Sequence, residues 1–92
     1  HCVSAYPAAA QDMNLRAIDV MSRRFALPVG LSDHTHGIHV ALAAVALGAV
    51  MIEKHFTISH GLPGPDQALS AEPTELAALV ASQLGSAQWV RC

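Results

Sequence analysis

Three short polar strings carry the side chains that could do chemistry: Ser4-Ala5-Tyr6-Pro7, Ser32-Asp33-His34-Thr35-His36 and Glu53-Lys54-His55-Phe56-Thr57. Each follows a short apolar run and so reads as the carboxyl end of a strand, where parallel α/β proteins bind their ligands. Strand alternation puts Glu53 and His55 on one side and Lys54 on the other. Two histidines from neighbouring strand ends, His34 and His55, with a carboxylate nearby, could hold a divalent metal and leave coordination positions open. Plainer readings compete with this one. A histidine at a strand end is more often a hydrogen-bonded structural residue than a ligand. The spacings among His34, His36 and His39 match no zinc signature, and His36 and His39 fall at the start of a predicted helix. Glu53 beside Lys54 could be an ion-paired strand end, and Asp66 in Pro63-Gly64-Pro65-Asp66 could be turn chemistry.

The elements that must position these residues follow from apolar periodicity and its interruptions. His1-Cys2-Val3 reads as the end of a strand broken at Ala5-Tyr6-Pro7. Asp12 is the expected N-cap of a helix running to about Phe25, with Ile18, Met21 and Phe25 near one face. Pro28 forbids its continuation, and Val29-Gly30-Leu31 reads as a short buried strand. Ser32 to Gly37 is loop-like. An Ala-rich helix is expected from Ile38 to Leu47, with Gly48 as its C′ residue. Val50-Met51-Ile52 is a third apolar strand, and a Gly- and Pro-rich loop runs from Thr57 to about Ser70. Pro73 fits the first turn of a last helix carrying Leu76, Leu79, Val80 and Leu84 before Gly85, and the stripe Leu76, Leu79, Val80 is expected to be core. The segment around Trp89 has no clear assignment. Strand and helix thus alternate three times with short connections, which predicts an α/β fold of right-handed βαβ units on a parallel sheet. A closed barrel of eight such units takes about 250 residues, so this chain carries the share of three.

Composition narrows the function classes. The 92 residues are 52% apolar and 13% charged, too hydrophobic for a solvated tail. Five Lys+Arg against seven Asp+Glu leave a net charge of -2, with no basic cluster beyond Arg23-Arg24, so no nucleic-acid partner and no anionic membrane surface are expected. The nearly uncharged stretch from Leu42 to Ile52 reaches about half of the ~20 residues that a membrane span needs. The chain opens at His1, within a strand, without a signal peptide, which is expected of an excised segment. Cys2 and Cys92 sit at the two ends without framework spacing, as expected of reduced cytoplasmic thiols; nothing supports a bridge between them.

The strings His1-Cys2-Val3-Ser4-Ala5-Tyr6-Pro7, Gly30-Leu31-Ser32-Asp33-His34-Thr35, and Ala44 to Ala49 leading into Ile52-Glu53-Lys54-His55-Phe56-Thr57 stand in order, followed by Pro63-Gly64-Pro65-Asp66 and Glu72-Pro73. Together they resemble the sialic acid synthase family, N-acetylneuraminate synthase and its bacterial nonulosonate relatives, over residues 1–84. The resemblance implies a (β/α)8 TIM barrel, of which residues 1–92 would be a fragment comprising the last three βα units. The N-terminal barrel strands and a small C-terminal antifreeze-like domain would lie outside it, and the fragment alone would be inactive. It further implies condensation of phosphoenolpyruvate with an open-chain N-acetylated hexosamine, giving a nine-carbon 2-keto acid and phosphate, in a homodimeric parent enzyme. By the same resemblance His34 and His55 would hold Mn2+ or Mg2+, which polarises the sugar aldehyde and positions the attacking water. Ser32 would contact the phosphate of phosphoenolpyruvate. Glu53 would be the catalytic carboxylate, orienting the sugar or handling protons, and Tyr6, Asp66 and Ser4 would bind the amino sugar. Ser4 stands where many relatives carry Asn, Gln67 where a histidine is common and Ala68 where a basic residue is frequent, which leaves the acceptor sugar open. Two other readings share the pattern: a non-catalytic metal-binding module that self-assembles through its strand edges, and a phosphoenolpyruvate aldolase building 3-deoxy sugar acids. The Ser32-Asp33-His34-Thr35 and Pro63-Gly64-Pro65-Asp66 strings argue against the second.

Overall fold

The computed structural model describes residues 1–82 and the backbone of residues 88–91. Three parallel strands, β1 (Leu31–Asp33), β2 (Met51–Lys54) and β3 (Gln88–Arg91), form one sheet in the order β1-β2-β3. The helices are α1 (Arg16–Phe25), α2 (His39–Ala46) and α3 (Pro73–Ala81). This is the α/β alternation that the sequence predicts, and β3 accounts for the segment left unassigned around Trp89. No helix of the described residues is long and apolar enough to cross a membrane.

The strands lie further along the chain than apolar runs suggest. Pairing starts at Val29, whose carbonyl accepts from the Val50 N–H at 2.9 Å, but it continues through Ser32, Asp33, Glu53 and Lys54. The register sets Leu31 against Ile52, Ser32 against Glu53 and Asp33 against Lys54. Polar residues extend the strands because Asp33 and Lys54 satisfy each other on the covered face. The expected first strand contracts to one parallel bridge, Cys2 to Ser32, held by Ser32 N–H donating to the His1 carbonyl and the His1 amino group donating to the Gly30 carbonyl, both at 2.9 Å.

Leu31, Asp33, Ile52 and Lys54 alternate onto the face covered by the helices, where Ile18, Val40, Ala41, Ala44 and Leu79 complete the core. Full burial of side chains such as Ile18, Ile52 and Leu79 contributes about 1.5–3 kcal/mol each. The alternate residues Gly30, Ser32, Met51 and Glu53 line a cleft of about 260 Å³ on the other face, with His1 and Cys2 at its edge. Met51 is 44% exposed there.

Several helix expectations need correction. Asp12 is not an N-cap: it ends a short 3-10 turn (Ala10–Asp12), and Leu15 precedes α1 instead. Asn14, at φ 46°, turns the backbone left-handed and separates the two helical pieces. Phe25 and Val80 are exposed, not core; of the two expected stripes, Ile18 and Leu79 are buried while Met21 and Leu76 are partly covered. Those stripes run past the width of the small sheet. Leu84, Gly85 and Cys92 lie outside the described residues; Cys2 is a free, exposed thiol. Gly48, at φ 107°, ends α2 as expected.

Gly30, just before β1, lies close against Met51 of β2. A Cβ there would lie 2.7 Å from the Met51 carbonyl oxygen and 3.0 Å from the Met51 Cβ, so the strands would have to separate. Gly30→Ala is therefore expected to cost about 1–3 kcal/mol. The urea midpoint of the intact protein checks this; an unchanged midpoint would show that β2 yields without strain.

Candidate functional site

His34 and His55 each follow the last residue of a strand, one step beyond the Asp33–Lys54 pair, and so stand abreast at the carboxyl end of the sheet. Their rings are 5.7 Å apart between centroids, edge to face at 85°. The Tyr6 ring packs against both, 5.1 Å from His34 and 4.7 Å from His55. The Ala8 N–H donates to the His34 carbonyl at 2.9 Å and holds the Tyr6 segment there. Cys2 Sγ lies 3.9 Å from the His34 ring nitrogens. One rung down on the same face, the Ser32 hydroxyl donates to Glu53 Oε1 at 2.7 Å. Ser4 is exposed.

Asp66 arrives from the loop that follows β2. The loop is closed at its base by a bridge between Phe56 and Ala71, with Thr57 N–H donating to Ala71 O (2.9 Å) and Ala71 N–H to His55 O (2.8 Å). Thr57 Oγ1 meets the Gln67 side chain, and the Ser70 hydroxyl donates to the Asp66 carbonyl at 2.7 Å. Asp66 thus does serve a turn, as its Pro and Gly neighbours suggest, and its carboxylate also sits 3.7 Å from His55 Nδ1. The structure brings Tyr6, His34, His55 and Asp66 together, with Ser32 and Glu53 beneath. His36, in the bend before α2, and His39, its first residue, are both exposed.

The pairing of Glu53 with Lys54 is overturned. Alternation sends Lys54 to the covered face, where Nζ donates to Asp33 Oδ2 at 3.1 Å and to the Thr35 carbonyl at 2.6 Å. Asp33 Oδ1 accepts from the Thr35 N–H (2.9 Å) and hydroxyl (2.7 Å), so all its bonds lie inside the protein. This buried network was missed in the sequence, although strand parity applied to Asp33 as well as to Lys54 would have found it. It fixes the backbone that presents His34 to the opposite face.

Two imidazoles on rigid strand ends could hold a divalent cation and leave positions open for substrate oxygens. Nδ1 of His55 faces Asp66 at 3.7 Å, beyond hydrogen-bond distance, so its other ring nitrogen would be the one to coordinate. The residues present fit the group. Among the described residues, one set of three metal-capable side chains has all its ligand atoms within 4.8 Å of each other, and it is elsewhere: His60, Glu72 and Glu75. That set was also missed, because its members are separated in sequence and meet only when the loop folds back on α3.

The NeuB family matches residues 1–88. The N,N'-diacetyllegionaminic acid synthase of Legionella pneumophila is 54% identical over 82 residues, which is 89% of this chain and 23% of that protein. The human N-acetylneuraminate-9-phosphate synthase is 46% identical over 82 residues, 88% of this chain and 23% of that one. Among solved structures, the N-acetylneuraminic acid (sialic acid) synthetase of Leptospira borgpetersenii, in complex with citrate, superposes with a TM-score of 0.86 at 49% identity, covering 90% of this chain and 29% of that chain. The chain therefore spans about a quarter of the length of the curated relatives it matches.

Proposed function

The chain belongs to the NeuB family, and from that premise we propose that in the full-length protein it is part of a synthase that condenses phosphoenolpyruvate with an N-acetylated hexosamine of the N-acetylmannosamine type. The product is a nine-carbon 2-keto sugar acid, released with phosphate. In this reading the three βα units of this chain are part of a (β/α)8 barrel, and their carboxyl-end residues are part of its active site. The observation that carries the reading is the single cluster of Tyr6, His34, His55 and Asp66 at the carboxyl ends of parallel strands, with Ser32 and Glu53 one rung below.

His34 and His55 would hold the divalent metal, which when bound supplies a Lewis acid for the sugar aldehyde. The remaining roles fall to side chains whose chemistry suits them. Tyr6 lays an aromatic face beside the acceptor, Asp66 accepts from its hydroxyls, and Ser4 lies at the exposed edge of the same segment. Ser32 offers a short hydroxyl to the phosphate, and Glu53, its partner at 2.7 Å, is placed to take up or return a proton as that hydroxyl turns to substrate.

Inorganic phosphate release by the full-length protein, given phosphoenolpyruvate, Mn2+ and a panel of N-acetylmannosamine and diacetamido hexoses, tests the proposal. Release with one acceptor is expected. No release from folded, metal-loaded protein would return the function to a metal-binding module or another acceptor class. Asp66→Ala is expected to raise the KM for the amino sugar by about tenfold or more, with the KM for phosphoenolpyruvate nearly unchanged. A change confined to phosphoenolpyruvate would remove Asp66 from the sugar site.

A further inference from the structure

We propose that His60 is a positioning residue that ties the loop between β2 and α3 to the first turn of α3 and thereby sets Asp66 against His55; the inference rests on the reading of Asp66 as a sugar-binding residue. His60 meets α3 through both its backbone and its ring. Its N–H donates to Glu72 Oε2 at 3.0 Å, its Nδ1 lies 3.5 Å from Glu72 Oε1, and its Nε2 lies 3.6 Å from Glu75 Oε1. Nε2 also faces the Ser70 carbonyl at 2.5 Å. A carbonyl only accepts, so Nε2 carries the proton of that bond.

The two carboxylates are themselves anchored. Glu72 caps α3, and the Glu72 N–H donates to Glu75 Oε1 at 3.2 Å in a reciprocal capping box. The other end of the connection is equally short. Ser70, held by the His60 ring through its carbonyl, donates its hydroxyl to the Asp66 carbonyl at 2.7 Å. The contacts therefore run from α3 through His60 and Ser70 to Asp66, whose carboxylate faces His55. Every side-chain and carbonyl partner of His60 is an acceptor, so a basic side chain of similar reach can replace it and a methyl group cannot. The His60 side chain is 42% exposed, and Thr57 with Gln67 closes the loop independently, so its removal shifts the loop without unfolding the domain.

The full-length protein is compared as wild type, His60→Ala and His60→Lys, with His60→Gln as a milder second variant. Amide hydrogen exchange is read over residues 66–71, where Leu69 N–H donates to Asp66 O and Ala71 N–H to His55 O. His60→Ala is expected to speed this exchange about fivefold or more, His60→Gln less, and His60→Lys is expected to restore it. In phosphate release, His60→Ala is expected to raise the KM for the amino sugar about tenfold, with kcat and the KM for phosphoenolpyruvate within about twofold. Unchanged exchange in His60→Ala, or no restoration by His60→Lys, overturns the tether. A fall in kcat alone, or equal rises in both KM values, overturns its action through Asp66. Exchange that responds as expected in a protein releasing no phosphate upholds the tether and overturns the synthase reading instead.

Discussion

His55→Ala is expected to reduce metal-dependent phosphate release by the full-length protein to below about 1% of wild type, while the protein stays folded. Outer partners of metal-binding histidines already cost roughly 10–100-fold in affinity or activity when removed, and a direct ligand costs more. The site has little redundancy, because among the described residues His34 and His55 are the two histidines whose rings pack on each other and on Tyr6. The structural cost is small by comparison. His55 is about one-third exposed and its ring contacts with Tyr6 and His34 contribute about 1 kcal/mol. Mn2+ binding followed by electron paramagnetic resonance, alongside turnover and a thermal melt, checks all three quantities. Turnover within a few-fold of wild type would remove His55 from the coordination sphere. If Mn2+ binding survives there but is lost in His60→Ala, the cation occupies the cluster of His60, Glu72 and Glu75.

The largest effect on stability is expected from Asp33→Ala. The carboxylate is fully enclosed, and its removal leaves the Lys54 ammonium, 6% exposed, with a single carbonyl partner. It also strips the Thr35 N–H and hydroxyl of their acceptor. Breaking a buried pair from one side costs about 3–5 kcal/mol, a large part of the stability of a typical domain. The double replacement Asp33→Leu with Lys54→Met removes both charges and is expected to cost well under the sum of the single changes. Urea unfolding of wild type, Asp33→Leu, Lys54→Met and the double variant closes the cycle, with Asp33→Ala measured beside it. A single-variant cost below about 1 kcal/mol would show that water reaches the pair.

The contrast between these two residues shows how far the chain could be read in advance. Element order, the ends of α2, the proline-led start of α3 and the chemistry-bearing strand ends were legible, because periodicity and Gly and Pro punctuation act locally. The grouping of His34 with His55 followed from placing both at strand ends. Asp33 and Lys54 were misjudged because hydropathy treats charged residues as strand terminators, whereas a complementary pair in register extends a strand. The break at Asn14 was hidden because an asparagine in left-handed backbone leaves no signal in apolar spacing. The clamp of His60 on α3 depends on a loop doubling back over 12 residues to Glu72, and loop closure of that kind is set by tertiary contacts.

The strict alternation of the strands has a consequence for how such a protein can change. Asp33 and Lys54 hold the scaffold from one face, while Ser32, Glu53, His34 and His55 lie on the other, where the proposed active site opens. Neighbours in the chain thus belong to separate compartments of selection. In the proposed synthase, a substitution at Tyr6 or Asp66 would redirect the acceptor without drawing on the stability reserve held beneath the sheet, whereas Gln67 also closes the loop through Thr57. Relatives named for legionaminic, pseudaminic and N-acetylneuraminic acid products can share one framework on those terms, and an engineer altering selectivity can confine a library to the open face and the loop above it.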